Sequence, residues 1–274
     1  MSPNPVEINL PAIGQPFSLY LHEDNELFCN SVRRNKTYEP METRLVVSTL
    51  QEGDVFLDIG ANVGWYSVIA ARKVGASGKV IAFEPDPDNF GLLKKNCELN
   101  KLGNVELHNR AISDCDGKDY LYRSTSNFGD HQLHATADES RAKVEVETVK
   151  LDSLFPAGDI AIKAIKIDTQ GSEAKIMRGM QTFIARQKPV IFTEFWPYGL
   201  RNNGESVFDI LAFIERNGYL VFEMRHNSLN DLTPGLVYEM SRERLHPGTR
   251  NFTDLLLLQP EQAQRMFGQP ASGR

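Results

Sequence analysis

The sequence contains few cysteines, and they form no recognisable pattern. Only Cys29, Cys97 and Cys115 occur among its 274 residues, and none belongs to a Cys-x-x-Cys pair. An odd number of widely spaced cysteines favours neither a disulfide framework nor a thiolate zinc site. We therefore expect free, buried or half-buried thiols in a reducing, cytoplasmic compartment.

Long apolar runs and an excess of basic residues are also absent. The most obvious apolar run, Leu255 to Leu258, is far shorter than the roughly 20 residues that a membrane-spanning helix needs. Residues Met1 to Pro5 lack the basic and apolar segments of a signal peptide. The net charge of −6 argues against a broad nucleic-acid-binding surface. These absences predict a cytoplasmic protein with no transmembrane segment and no nucleic-acid partner, and they leave its oligomeric state open.

Short apolar runs alternate with helical patterns from residue 55 onward. This alternation predicts an α/β fold with a parallel sheet flanked by helices. The predicted strands are Val55–Ile59, Val80–Glu84, Val105–Asn109, Ile162–Asp168, Val190–Glu194, Tyr219–Met224 and Asp254–Leu258. The predicted helices are Met41–Leu50, Trp65–Lys73, Asp88–Asn100 and Glu205–Asn217.

The remaining segments suggest a division into three parts. Residues 1–40 are predicted to be an N-terminal extension or cap, residues 41–260 a ligand-binding domain, and residues 261–274 a tail. Val144–Val149 alternates with period two, as a half-buried strand does. The polar stretch 124–142 is typical of a lid or substrate loop, and equally of an ordinary surface loop.

The strongest motif is Asp58-Ile59-Gly60-Ala61-Asn62-Val63-Gly64, between a strand and a helix. Glycines permit a sharp turn and a close ligand approach, and the first amides of the helix point into the same space. A dinucleotide loop would read G-x-G-x-x-G instead. The carboxylate of Asp58 would repel a pyrophosphate but attract the ammonium group of S-adenosylmethionine. The motif therefore favours S-adenosylmethionine, with NAD as the alternative.

A second acid ends the next strand. Glu84, followed by Pro85, stands where a carboxylate binds the two ribose hydroxyls of a nucleotide cofactor. This position serves NAD and S-adenosylmethionine equally, and either acid alone is also compatible with a helix cap or a surface turn. The two acids together, one βα unit apart, favour cofactor binding.

Six segments in order resemble the FkbM-type methyltransferases. They are Tyr38-Glu39-Pro40, Val55 to Gly64, Phe83 to Pro87, Asn109 to Asp114, Thr148 to Ser153 and Ile165 to Glu173. The resemblance covers about residues 38–195 and implies a class I methyltransferase fold, Rossmann-like. Such a fold has a seven-stranded, mostly parallel sheet with helices on both faces and an antiparallel last strand, here Phe252–Leu258. It also implies methyl transfer from S-adenosylmethionine to a hydroxyl of a sugar, glycolipid or natural-product acceptor.

The same resemblance assigns the cofactor contacts by position. Glu84 and Pro85 would bind the ribose, and Ala111 and Ile112 would lie beside the adenine. The predicted contacts around the methionine end are Glu39, Asp58, Gly60, Ala61, Asn62, Gly64 and Ser67.

Two further acids stand at strand ends, where a base or a metal could activate an acceptor hydroxyl. Asp168 is the first choice as base, metal ligand or orienting group, with capping of the helix near Ser172 as the alternative. Glu194, followed by Phe195 and Trp196, could bind an acceptor hydroxyl while the rings pack on a sugar face. Asp168 and Glu194 together could also hold a divalent cation such as Mg²⁺.

His131, in the polar stretch, is a weaker candidate base. With His134 it forms a His-x-x-His pair, but no acid with metal-ligand spacing stands nearby, so a solvent-exposed pair is the simpler interpretation. Two other functions stay open. One is an NAD-dependent oxidoreductase with an atypical loop, and the other is a methyltransferase-like binding module without catalysis.

Overall fold

A mixed eight-stranded sheet runs through the centre of the protein. The computed structural model describes residues 4–23, 27–123, 133, 141–156, 160–225, 228–232 and 251–268. The strands are β1 Val6–Ile8, β2 Phe17–Leu19, β3 Val55–Ile59, β4 Lys79–Phe83, β5 Val105–His108, β6 Ala111–Ile112, β7 Gly117–Arg123, β8 Ala142–Val149, β9 Ala164–Ile167, β10 Val190–Phe195, β11 Leu220–Arg225, β12 Ser228–Asp231 and β13 Thr253–Leu258. The central sheet has the order β12-β11-β13-β10-β9-β3-β4-β5.

Helices cover both faces of this sheet. They are α1 Leu27–Asn35, α2 Pro40–Thr49, α3 Trp65–Val74, α4 Pro87–Leu99, α5 Leu151–Leu154, α6 Glu173–Arg178, α7 Gln181–Gln187, α8 Pro197–Asn202, α9 Val207–Asn217 and α10 Pro260–Phe267. The predicted helix Met41–Leu50 is therefore α2, which begins one residue earlier because proline is well suited to a first helical position. The predicted tail, residues 261–274, contains most of α10.

The order of the strands places a crevice at the centre of the sheet. The chain passes outward from β3 through β4 to β5, then returns to β9 on the other side of β3 and continues to β10. All of these neighbours pair in parallel. Ligands of such folds bind beyond the carboxyl ends of the strands, where the strand order reverses. Here that point lies between β3 and β9.

The class I methyltransferase fold is confirmed, with a correction to its strand count. The last strand, β13, is antiparallel to both β10 and β11, as expected. The prediction of seven strands is wrong, because β12 adds an eighth by pairing antiparallel with β11. Its sequence, Ser-Leu-Asn-Asp, has no alternating apolar pattern, so only its position beside an open sheet edge makes it a strand.

Side chains alternate between the two faces of the sheet, and each face has its own core. On one face Phe56, Ala164 and Phe192 pack with α2, α3 and the N-terminal segment. On the other, Leu57, Ile165 and Ile191 pack with α6, α7 and α9. The N-terminal hairpin of β1 and β2 belongs to the first core, to which it contributes Ile8, Phe17 and Leu19.

A small three-stranded sheet, in the order β6-β8-β7, stands beside the carboxyl end of β5. The predicted strand Val144–Val149 is part of β8. Arg123, the last residue of β7, donates from Nε to Asp86 at 2.7 Å and so joins this sheet to the start of α4. The polar stretch 124–142 lies almost wholly outside the described residues, and with it His131 and His134.

The structure bears on the predictions for the cysteines and for membrane-spanning helices. All three cysteines are free thiols; Cys29 and Cys97 are buried as expected, but Cys115 is exposed because it lies in the turn that precedes β7. Within the described ranges, no helix is long and apolar enough to span a bilayer.

Candidate active site

The glycine turn after β3 is held against the end of β9. Gly60 has φ of +84°, and a Cβ on it would lie 1.9 Å from the carbonyl oxygen of Asp168. Its amide donates to the carbonyl of Phe83 on β4. Gly64 has φ of +96° and packs on Leu93 of α4. Both glycines are therefore required by backbone packing, whatever ligand the turn also holds.

Asp58 lies near the end of β3, just before this turn. It is 1 % exposed, and its Oδ2 accepts a hydrogen bond of 2.5 Å from Oγ of Ser67 on α3. Burial raises the pKa of Asp58 to about 6, and the Ser67 hydroxyl acts in the opposite direction. The two predicted cofactor residues therefore contact each other, tying the strand end to the first turns of α3.

Glu84 connects the glycine turn to the loop after β4. Its Oε2 accepts from the amide of Asn62 at 2.7 Å, and its Oε1 accepts from the amide of Asp86 at 2.8 Å. Burial raises the pKa of Glu84 to about 8, although both amides act to lower it. Next to it, Oδ1 of Asn62 is buried without a hydrogen-bond partner among the described residues. This part of the site thus offers acceptor oxygens to a ligand.

The predicted adenine side is formed by β6 and the residues before it. Ala111 and Ile112 are buried in the strand pairing with β8. Asn109 donates from its side-chain amide to the carbonyls of Glu84 and Pro85, at 2.8 and 3.0 Å. The predicted ribose and adenine positions are therefore adjacent.

A row of acids continues along the same edge of the sheet, across β9, β10 and β13. Asp168 follows β9, Glu194 lies in β10, and Asp254 in β13 stands directly opposite Glu194. Burial, together with the nearby charges of Asp168, Glu173 and Asp254, raises the pKa of Glu194 well above its usual range. Burial also raises the pKa of Asp254 to about 7.

Gln170 bridges the two acids that the sequence singled out. Its side-chain amide donates to Oδ1 of Asp168 at 3.1 Å and to Oε1 of Glu194 at 3.3 Å. Asp168 does not cap the helix α6. Instead Glu173, at its first position, accepts from the amides of Thr169 and Gly171, which closes the loop locally.

A buried lysine lies beneath this row. Lys166 of β9 is 1 % exposed, with its Nζ 2.9 Å from Oε1 of Glu42 and 3.5 Å from Oδ2 of Asp168. Burial alone would lower the pKa of Lys166, but Glu42 and Asp168 raise it well above its usual range. The lysine therefore stays charged, and it anchors α2 to the sheet below the crevice.

Glu39 extends the acidic group from the side of α2. It has φ of +39° just before the helix, and its Oε2 accepts a hydrogen bond of 2.7 Å from the hydroxyl of Tyr66 on α3. One carboxylate oxygen each of Glu39, Glu42 and Asp254 lies within 4.8 Å of the others. Phe195, expected near the acceptor, is instead buried in the second core, whereas Trp196 is half-buried.

Several members of the site carried no assignment from the sequence, among them Glu42, Lys166 and Asp254. The sequence does contain an indication for Lys166, because a lysine within the apolar strand Ala-Ile-Lys-Ile must have an acidic partner once that strand is buried. Glu42 and Asp254 had none, since they come together only through the packing of α2 on one face of the central sheet. An open depression of about 1380 Å³ lies elsewhere, at the amino ends of β4 and β5.

Comparison with known proteins identifies the family. A model of the methyltransferase FkbM domain matches residues 58–221, which include the glycine turn, Glu84, Asp168 and Glu194. The chain belongs to the FkbM methyltransferase family. The resemblance to this family is thereby confirmed.

Individual relatives of this FkbM-family chain are distant. It is 28% identical over 138 residues to hexuronic acid methyltransferase AglP of Haloferax volcanii, a match covering 50% of this chain and 54% of that protein. It is 25% identical over 201 residues to methyltransferase sdnD of Sordaria araneosa, covering 61% of this chain and 76% of that protein. The crystal structure of a methyltransferase FkbM from Methylobacillus flagellatus KT matches with a TM-score of 0.48 and 15% identity, over 82% of this chain and 46% of that one. The chain thus spans little more than half of the first of these curated relatives.

Proposed function

We propose that this chain is an S-adenosylmethionine-dependent O-methyltransferase acting on a hydroxyl of a sugar, glycolipid or natural-product acceptor. The observation that carries the proposal is the position of Glu84 in a chain that belongs to the FkbM methyltransferase family. Its carboxyl group is fixed by the amides of Asn62 and Asp86 at the end of β4, next to a glycine turn at the reversal of the strand order. This is the arrangement expected of a ribose-binding acid.

The residues around the turn fit this cofactor. Glu84 with Pro85 binds the ribose, the Ala111–Ile112 strand borders the adenine, and the buried acceptor of Asn62 supplies a further polar contact. Glu39 is the acid available to the methionine ammonium. Because Asp58 is buried on Ser67, it acts by holding the turn and α3 together.

The acceptor side lies over the ends of β9 and β10. When bound, S-adenosylmethionine supplies a methyl group on a sulfonium, which is already an activated donor, so alignment contributes much of the catalysis. Asp168, whose side chain is 25% exposed, accepts the proton of the acceptor hydroxyl as the oxygen–methyl bond forms and the carbon–sulfur bond breaks. Glu194, buried with Oε2 unpartnered among the described residues, orients that hydroxyl.

The alternatives from the sequence make different predictions. A divalent cation shared by Asp168 and Glu194 would have to displace the amide of Gln170, which joins them. His131 as the base would make Asp168 dispensable. An NAD-dependent oxidoreductase would use the same Glu84 but would bind NAD.

Ligand titration and label transfer test the proposal. Calorimetry of the full chain with S-adenosylhomocysteine should give saturable binding, and NAD should give none. Incubation with methyl-labelled S-adenosylmethionine and a panel of hydroxylated acceptors, hexuronates first, should then label an acceptor oxygen. Hexuronates are a reasonable start because the archaeal relative is a hexuronic acid methyltransferase. Binding of NAD alone would refute the cofactor, and cofactor binding without label transfer to any acceptor would favour a non-catalytic module.

A further inference from the structure

Three carboxyl groups from two distant segments of the chain converge beside the proposed acceptor side. Glu39 precedes α2, Glu42 lies in its first turn, and Asp254 lies in β13. One oxygen of each lies within 4.8 Å of the oxygens of the other two. Oxygens bound to one cation at 2.0–2.6 Å are separated by no more than about this distance.

Glu42 provides an independent indication of a ligand. It is 2 % exposed, and its Oε1 contacts Nζ of Lys166 at 2.9 Å. Its Oε2 is buried and has no hydrogen-bond partner among the described residues. A buried carboxylate oxygen without a partner is strongly unfavourable unless a cation or a donor occupies the space in front of it. One carboxylate oxygen of Glu42 belongs to the same group of atoms as those of Glu39 and Asp254.

The donor set indicates which kind of cation fits. Lys166 also lies 3.5 Å from Oδ2 of Asp168, so its ammonium group does not neutralise the three carboxyl groups alone. An all-carboxylate donor set is also the one preferred by hard cations such as Mg²⁺, Mn²⁺ and Ca²⁺.

We propose that Glu39, Glu42 and Asp254 form a binding site for one divalent cation of this hard class. The site differs from the Asp168–Glu194 pair, although Asp254 stands directly opposite Glu194. The cation binds whether or not methyl transfer occurs. Its role in the reaction rests on the proposed function: a cation beside Glu194 would lower the pKa of an acceptor hydroxyl and so complement Asp168.

The test is calorimetric titration of the full, chelator-treated chain with MnCl₂ in the absence of cofactor. We expect one Mn²⁺ per chain. Asp254→Asn should weaken binding at least about tenfold, since losing even an outer partner of a metal ligand has an effect of that size. Glu98→Gln, which removes an exposed acid from α4, is the matched control and should bind Mn²⁺ as the unaltered chain does. If Asp254→Asn does not fold, Glu39→Gln replaces it, because Glu39 is only half-buried.

Two results would refute the proposed cation site. One is the absence of saturable binding at millimolar Mn²⁺, and the other is equal Mn²⁺ affinity of the unaltered chain and the folded variant. A parallel titration with S-adenosylhomocysteine separates this proposal from the previous one. Mn²⁺ binding without cofactor binding would refute only the proposed function. Weaker cofactor binding in Asp254→Asn, with no Mn²⁺ binding in either protein, would show that the carboxylates hold an ammonium group and would refute the metal site.

Discussion

Replacing Glu84 by glutamine is the most informative single change. The side chain keeps its size, but the carboxylate is lost and one of its two oxygens becomes an NH₂ group. In the native protein both oxygens accept backbone amides, from Asn62 at 2.7 Å and from Asp86 at 2.8 Å. Glutamine can satisfy only one of these donors and presents a weaker acceptor to a ribose.

The expected loss follows from the bonds involved. A hydrogen bond to a charged group contributes about 1.5–3 kcal/mol, and roughly half of that is lost when the acceptor becomes neutral. Two ribose hydroxyls therefore lose about 1.5–3 kcal/mol in total, or roughly tenfold to a hundredfold in the Kd for S-adenosylhomocysteine.

The pH dependence provides a second, independent signature. Burial raises the pKa of Glu84 to about 8, so the unliganded protein must release a proton there before the carboxylate can accept two hydroxyls. Affinity should therefore rise with pH up to about 8, by at most roughly tenfold per pH unit, and then level off. Glu84→Gln should lack this rise.

The free energy of unfolding should depend on pH in the opposite direction to the ligand affinity. Because the folded pKa lies above the ordinary value of 4.5, the folded chain holds the proton more tightly than the unfolded chain does. The contribution of Glu84 to the free energy of unfolding is therefore fully present below about pH 4.5 and is lost as the pH rises towards 8, by up to about 1.4 kcal/mol per pH unit. Calorimetry at pH 6, 7 and 8.5, with thermal unfolding as the control for folding, measures both effects. A change in Kd below threefold at pH 8.5 for a folded Glu84→Gln variant would refute the ribose assignment.

Three further changes test the surrounding site. Gly60→Ala places a Cβ 1.9 Å from the carbonyl of Asp168 at φ +84°, so it should lower the free energy of unfolding by at least about 2 kcal/mol in a denaturant titration; a change below 0.5 kcal/mol would contradict the packing. Lys166→Met leaves Glu42 buried without its cation and should destabilise by about 3 kcal/mol, whereas the double variant with Glu42→Gln should recover most of that loss. Asp168→Asn should reduce turnover about a hundredfold while S-adenosylhomocysteine affinity stays within threefold, and unimpaired turnover would exclude Asp168 as the base.

The central strands could be predicted because burial on both faces leaves an unmistakable pattern. Val55–Ile59 matches β3 in full, and the apolar runs of β10 and β13 agree with the structure to within one residue. Such runs are nearly continuous in a covered parallel sheet. The edge strand β12 could not be predicted, since its polar residues pair only because β11 offers them an unpaired edge.

The cofactor side of the site could be predicted from the sequence for a related reason. Its residues follow consecutive strands, and the chain order itself brings the turn after β3 beside Glu84. The sequence did not reveal that Asp58 is buried and accepts a hydrogen bond from Ser67. An acid at the end of a strand gives the same sequence pattern whether it contacts a ligand or a neighbouring helix.

The acidic residues of the site could be predicted from the sequence only in part. Asp168 and Glu194 stand at strand ends and could be singled out, but Gln170, which joins them, follows a local loop geometry that no pattern specifies. Glu42 and Asp254 meet through helix-on-sheet packing between distant segments, and a single sequence contains no information on such pairs.

A double-mutant cycle on the ligand and the protein tests the proposed contact between Glu84 and the ribose most directly. S-adenosylhomocysteine and its 2′-deoxy analogue would be titrated into the unaltered chain and into Glu84→Ala at pH 8.5. We predict that the unaltered chain binds the analogue at least about tenfold more weakly, and that Glu84→Ala binds the two ligands equally. The same penalty for the missing hydroxyl in both proteins would contradict the assignment of Glu84 to the ribose.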